Sequence, residues 1–335
     1  MIKMYKLLFS LTLMIGTMIS ISSYSWMGMW MGLEINLLSI IPLMSNKFNL
    51  YSSETSIKYF IVQAIASTTL MFSIIFMSLD SMIFLNNLKL NMIMIFNFSL
   101  LLKMGAAPLH FWFPEVMEGL NWVNSFILLT WQKIAPMLLI IINNNTLFSI
   151  IIIFSMLVSG LIGLNQISLR KILAYSSINH ISWMLSTLMF LKSLWLIYFL
   201  IYTLISLNLI VIFNKFKIYF FKQVFNMINN PNLKLFFILN FFSLGGLPPF
   251  LGFFPKWLVI QNMIINNYLF ISLIMVILTL LTLYFYMRMT FSSLMFEIST
   301  LNFSILNIKK LNLIMMFNFI MLLSLILSTL IINLN

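Results

Sequence analysis

Charge is the scarcest commodity in this chain. Of 335 residues only 7% are charged and 62% are hydrophobic, and just six are acidic. Soluble domains carry about 25% charged residues. A water-soluble fold of this size could not hide so much apolar surface, because every folded chain leaves much of itself outside. Apolar runs of about 20 residues therefore make lipid the solvent, and they call for helices rather than a barrel. Cysteine is absent altogether, which excludes disulfides, thiolate zinc sites and cysteine-ligated iron–sulfur clusters. There are two histidines, and His110 has no partners at metal-ligand spacing, so no metal site is expected. No G-x-G-x-x-G and no Walker-type loop occurs, so no nucleotide site is indicated. Alanine is nearly missing too, while Ile, Asn, Phe, Lys and 28 Met abound. Such usage matches translation of an A+T-rich mitochondrial gene.

What charge there is sums to +12. The basic residues are dispersed among apolar runs rather than gathered on one face, which argues against nucleic acid as a partner. They read instead as orientation signals in a membrane. The opening stretch, MIKMYKLLFSLTLMIGTMISISSYSW, has an apolar run too long for a cleaved signal and reads as a first spanning helix. The expectation is an all-α polytopic membrane protein of about eleven transmembrane helices. They fall roughly at 4–22, 25–45, 57–79, 90–118, 122–142, 147–166, 171–190, 193–213, 234–265, 268–290 and 311–333. Only 214–233 and 291–310 leave room for larger loops, so residues 1–335 read as a single membrane domain. With the N-terminus inside, thirteen basic residues fall at inside ends: Lys3, Lys6, Lys47, Lys58, Arg170, Lys171, Lys215, Lys217, Lys222, Lys234, Arg288, Lys309 and Lys310. Lys89 and Lys192 alone fall outside. A missed helix would mix the two groups, so this asymmetry supports the count and puts the C-terminus outside.

Two spans are cut by helix breakers, and the cuts match. Gly105-x-x-Pro108-x4-Phe113-Pro114-Glu115 aligns with Gly246-x-x-Pro249-x4-Phe254-Pro255-Lys256 at a constant offset of 141 residues. Five of the eight prolines lie in these stretches. The stretches begin five spans apart, so they cross the membrane in opposite senses. That is an inverted repeat, with one copy at roughly 1–142, the second at 147–290 and a last helix at 311–333. Matched interrupted spans point to a transport site. Proline removes an N–H and crowds the preceding turn, and freed carbonyls at membrane depth survive only beside protein or water. A proline kink serving packing alone would explain one such cut less awkwardly than two.

Three lysines fall inside spans: Lys103, Lys133 and Lys256. Glu34 and His180 also lie near span midpoints. A central charge costs roughly 2.5–3.5 kcal/mol on insertion scales, and a midpoint lysine is too deep to snorkel out. Glu34 needs a partner or a proton. A row of such groups bridged by hydroxyls and water forms a proton relay, for which Thr68, Thr69, Thr130, Ser206 and Asn208 are available. His180 could instead be a satisfied core histidine bonded by Ser176 or Ser177. His110, Glu115 and Glu118 follow the first break and could serve its exit side. The residues leave three readings open: a proton-translocating subunit, a free-standing cation/proton antiporter, or a structural subunit with no ion path.

The stretches WMGLEINLLSIIPL, LLLKMGAAPLHFWFPEV, TWQKIAP, RKILAYSSINHISWM and GGLPPFLGFFPKW resemble the antiporter-like membrane subunits of respiratory complex I, in the short subunit 2 branch of animal mitochondria. The resemblance covers nearly the whole chain. It implies a membrane-arm subunit of NADH:ubiquinone oxidoreductase in the mitochondrial inner membrane, with its N-terminus in the matrix and its C-terminus in the intermembrane space. It implies a glutamate–lysine pair (Glu34 and Lys103), a central-axis lysine (Lys133) and a charged position in the second broken helix (Lys256). The fuller family fold has fourteen spans in two inverted five-helix bundles, so eleven here implies that the first three are missing. Some relatives carry an ionisable group in the span at 193–213; here none is mid-span, which leaves His180 and water to link Lys133 to Lys256. No cofactor is expected in this chain; NADH, FMN, iron–sulfur clusters and ubiquinone would belong to other subunits. The implied partners are other membrane-arm subunits, neighbouring antiporter-like subunits among them, and lipids.

Overall fold

Backbone hydrogen bonding in a medium without water leaves the chain little choice, and helices dominate. A computed structural model describes residues 4–46, 49–79, 86–142, 147–221, 223–224, 231–295 and 319. Among them the regular elements are helices, with one isolated bridge between Ser168 and Phe220. Six helical stretches are long and apolar enough to cross a membrane: Met4–Ser22, Trp26–Met44, Leu50–Ser78, Trp122–Ile140, Lys192–Phe216 and Leu269–Phe291. This is a multi-pass membrane protein. The span expected at 311–333, most of the 291–310 connection, and Lys3, Lys47, Lys222, Lys309 and Lys310 lie outside the described residues.

The chain divides into two compact units, Met1–Leu147 and Phe148–Asn335. The first holds α1 (Met4–Ser22), α2 (Trp26–Met44), α3 (Leu50–Leu79), α4 (Asn86–Met104), α5 (Trp112–Gly119), α6 (Trp122–Leu129) and α7 (Trp131–Ile140). Helices α1 and α2 approach through small residues: a Cβ on Gly32 would meet the Ser20 backbone at 2.5 Å. Small residues let backbones close where lipid gives no hydrophobic drive. Helix α3 begins at Leu50, earlier than the apolar run from 57 suggests. The added turns are polar, and Glu54 pairs with Lys58 one turn on, at 3.1 Å. The span expected as continuous over 122–142 is divided at Thr130 (φ −116°, ψ −71°) into α6 and α7. There the Lys133 N–H bonds the Thr130 carbonyl, three residues back rather than four.

The second unit holds α8 (Leu147–Gly163), α9 (Leu169–Leu188), α10 (Lys192–Phe216), α11 (Pro231–Gly245), α12 (Phe253–Ile265) and α13 (Leu269–Met295). Nearly all of α9 is buried. Its polar residues stay inside because their hydroxyls bond back within the helix: Ser176, Ser177, Ser182, Ser186 and Thr187 each donate to the carbonyl three residues earlier.

Candidate functional site

Each unit contains a helix pair interrupted at glycine and proline, and these two interruptions are built the same way. Helix α4 stops at Met104 and α5 starts at Trp112; helix α11 stops at Gly245 and α12 starts at Phe253. Gly105 (φ +73°) and Gly246 (φ +80°) take the left-handed conformation that favours glycine. After each glycine the chain folds back on the last turn. Ala106 donates to the Leu101 carbonyl and Gly105 to that of Leu102; Leu247 donates to Phe242 and Gly246 to Ser243. These are paired Schellman closures. Pro108 and Pro249 lie in the non-helical segments, and Pro114 and Pro255 lie in the first turns of α5 and α12, where a missing N–H costs nothing. The Ala107–Pro108 bond is cis.

Ending a helix orphans its last carbonyls, and at the first break neutral side chains cover them. Gln63 of α3 donates Nε2 to the Lys103 carbonyl at 3.2 Å, and Trp112 donates Nε1 to Leu102 at 3.1 Å. The Lys103 side chain thus begins at a fixed point. It is 7% exposed, and its Nζ makes no hydrogen bond among the described residues. It lines a small cavity of about 10 Å³, shared with Leu33, Asn36, Leu37, Tyr59, Gln63, Gln132 and Pro136. Polar groups on three helices are tied across that pocket: Tyr59 Oη donates to Gln132 Oε1 at 3.4 Å, and Gln132 Nε2 donates to Asn36 Oδ1 at 2.9 Å. The cavity is small, with room for about one water at most, and polar groups line most of its sides. Glu34, on α2, is half-buried and forms no ion pair with Lys103 within 4 Å among the described residues.

Lys133, on α7 beside Gln132, is 1% exposed. Its Nζ lies 5.6 Å from the centre of the Phe113 ring, a cation–π distance. Phe113 in turn packs on the break, since a Cβ on Gly105 would touch it at 3.0 Å. The glycine that stops α4 therefore also admits the ring under Lys133. His110 is buried, with Nδ1 3.2 Å from the Pro108 carbonyl and its ring tilted against Phe111. Glu115, the positional counterpart of Lys256, is exposed and pairs with Lys58 at 3.3 Å.

In the second unit, Lys256 covers the carbonyls itself. Its Nζ donates to Gly245 at 2.8 Å and to Leu244 at 3.3 Å, and it lies 5.8 Å from the Trp183 ring centre. His180 is on the same helix as Trp183. Its hydrogen-bond partner is Tyr198 of α10, at 2.9 Å from Nδ1. Ser176 and Ser177, the partners that the core reading of His180 named, donate their hydroxyl hydrogens to the Leu173 and Ala174 carbonyls. His180, Tyr198 and Tyr202 line a second small cavity, of about 10 Å³, together with Leu244 and Pro255. One neighbourhood thus contains His180 and the break that Lys256 closes.

Of the hydroxyl and amide groups offered from sequence, Thr130 marks the α6–α7 break, its Oγ1 bonding Phe126. Thr68 and Thr69 bond back within α3, and Ser206 within α10. Asn208 is buried with neither amide atom hydrogen-bonded among the described residues. The residues that sequence reasoning passed over are Asn36, Tyr59, Gln63, Gln132, Phe113 and Tyr198. One signal was available: Gln63 and Gln132 are mid-span amides, two of the five glutamines in the chain.

A family model described as NADH:quinone oxidoreductase/Mrp antiporter, TM, matches residues 23–282. NADH-ubiquinone oxidoreductase chain 2 of Anopheles gambiae is 55% identical over 295 residues, covering 86% of this chain and 85% of that protein. The protein of the same name from Aedes aegypti is 52% identical over 330 residues, 97% of each chain. Among solved structures, a chain of respiratory complex I from Thermus thermophilus with bound Aureothin shares the fold, with a TM-score of 0.85 at 20% identity. That match covers 97% of this chain and 79% of that one.

Proposed function

We propose a function from the premise that this chain belongs to the NADH:quinone oxidoreductase/Mrp antiporter transmembrane family, whose model spans residues 23–282. The chain is a proton-translocating membrane-arm subunit of respiratory NADH:ubiquinone oxidoreductase, in the mitochondrial inner membrane. Identity of 52–55% to two proteins named as chain 2 of that enzyme supports this assignment. Redox chemistry and its cofactors, NADH, FMN, iron–sulfur clusters and ubiquinone, belong to other subunits, and neighbouring membrane-arm subunits and lipid are the partners. The whole chain forms one antiporter-like domain of about eleven spans, with the N-terminus in the matrix and the C-terminus in the intermembrane space. Its two inverted repeats are roughly 1–142 and 147–290, and the last helix is at 311–333. The matching closures at Gly105 and Gly246 are consistent with that symmetry.

The relay runs Glu34, Lys103, Lys133, His180, Lys256. A change in the interaction of Glu34 with Lys103 alters how tightly Lys103 holds its proton, because an anion favours the charged amine and burial opposes it. The proton passes to Lys133, whose charge the Phe113 ring face supports, and then by way of His180 and water to Lys256. Tyr198 orients the imidazole. The observation that carries this reading is the Lys103 ammonium: buried and uncommitted to any hydrogen bond among the described residues, on a residue that lines a polar pocket. A purely structural lysine would be spent on a partner.

The test is Lys103→Met in the assembled complex, with NADH-driven proton uptake measured in sealed vesicles. A positioned proton-transfer group contributes about 10²–10⁴-fold. Uptake is expected to fall by at least about tenfold at an unchanged level of assembled complex, and full uptake would refute the role.

A further inference from the structure

The two breaks pose one problem and solve it with different chemistry. In the 141-residue register Lys103 corresponds to Leu244, and Met104 to Gly245. The Leu244 carbonyl accepts from the Lys256 ammonium at 3.3 Å; the Lys103 carbonyl accepts from the Gln63 amide at 3.2 Å. Gln63 comes from α3, a different helix from the one that supplies Lys256's counterpart, Glu115, which points out to Lys58. The equivalent carbonyl is thus capped at both breaks, by a charged donor in one unit and a neutral one in the other. The neutral donor is found where a second lysine needs room to gain and lose a proton. Gln63 and Lys103 line the same pocket.

We infer that Gln63 is a positioning residue for Lys103: its neutral amide holds the last turn of α4 by the Lys103 carbonyl while adding no charge to the pocket that both residues line. The inference rests on the proton-transfer role proposed for Lys103. It assigns Gln63 two separable properties, a donor at the carbonyl and neutrality. An ammonium in its place would keep the first and destroy the second. Two amines in one low-dielectric pocket compete for protonation, because each cation disfavours the other. Leucine, of similar size, would destroy the first and keep the second.

Both substitutions are therefore informative in the assembled complex. Complex content is read on native gels, and NADH-driven proton uptake in vesicles is normalised to that content. Gln63→Lys is expected to assemble near the wild-type level, since a lysine donor suffices at the second break, and to lose uptake at least several-fold. Gln63→Leu is expected to lower the amount of complex, because it leaves a carbonyl uncovered at membrane depth. A solely structural Gln63 predicts instead that Gln63→Lys restores both content and uptake, and that result overturns the inference. Failure of the Gln63→Lys complex to assemble overturns it as well, because the lysine would then have failed as a cap. The Lys103→Met complex separates the two levels. If it pumps fully, the relay reading is wrong; if it fails to pump while Gln63→Lys pumps normally, the relay stands and only the role of Gln63 falls.

Discussion

Lys133 illustrates how an aromatic ring face can tune a buried amine. Its ammonium stands over Phe113, and a desolvated cation–π contact is worth about 2 kcal/mol. Replacing Phe113 with Leu keeps an apolar side chain and removes the ring face. NADH-driven proton uptake should then fall, by up to about tenfold for each 1.4 kcal/mol of support lost. Phe113→Trp, which retains a ring face, should keep most of the activity; equal loss in both variants would assign Phe113 to packing alone. The lysines themselves were legible in the sequence because a charge amid apolar residues has a known cost in lipid. Their companions were not. Tyr59 and Gln132 are 73 positions apart, and Gln132 and Asn36 are 96 apart. Nothing in a tyrosine or an amide announces which distant helix it will face. Phe113 stood in the repeat motif as one more aromatic among 34 phenylalanines.

At the scale of elements, glycine and proline made the two interrupted helices readable, because each breaker has a specific backbone consequence. Gly105 and Gly246 sit where a Cβ costs about 1–2 kcal/mol in backbone alone. The two sites differ in what a methyl would meet. At Gly246 it would lie 2.8 Å from Cδ of Lys256 and push the ammonium off its carbonyls; at Gly105 it would press on Phe113. Gly246→Ala is therefore expected to lower the thermal stability of the assembled complex and to disturb Lys256. A second variant, Lys256→Met, isolates the loss of the cap. If Gly246→Ala melts as the wild type does, the closure described here is not needed. The interruption at Thr130 was not legible. No glycine or proline occupies that position, and the nearest breaker, Pro136, is half a dozen residues on. Its only cue is a backbone bond that tightens from four residues to three, which tertiary packing decides.

For the whole molecule, composition alone settled the solvent, and the run lengths settled helix over barrel. The number of spans and the direction of each rest on the asymmetry of basic residues, a property of membrane insertion rather than of internal packing. Tagging the N-terminus for protease protection in intact, inner-membrane-exposed mitochondria tests that orientation. A tag shielded from protease added on the outer side is expected, and a tag cleaved there would invert the topology. The assembly is likewise testable as a unit. If the chain works only inside the respiratory enzyme, expression alone in vesicles should give no cation/proton exchange, whereas exchange by the isolated chain would favour a free-standing antiporter. The most direct measurement is NADH-driven proton uptake by the complex carrying Lys133→Ala, normalised to NADH oxidised and to complex present. A proton relay through the buried lysines predicts a lower yield per NADH at normal assembly. The wild-type yield from a complex without that ammonium would contradict it.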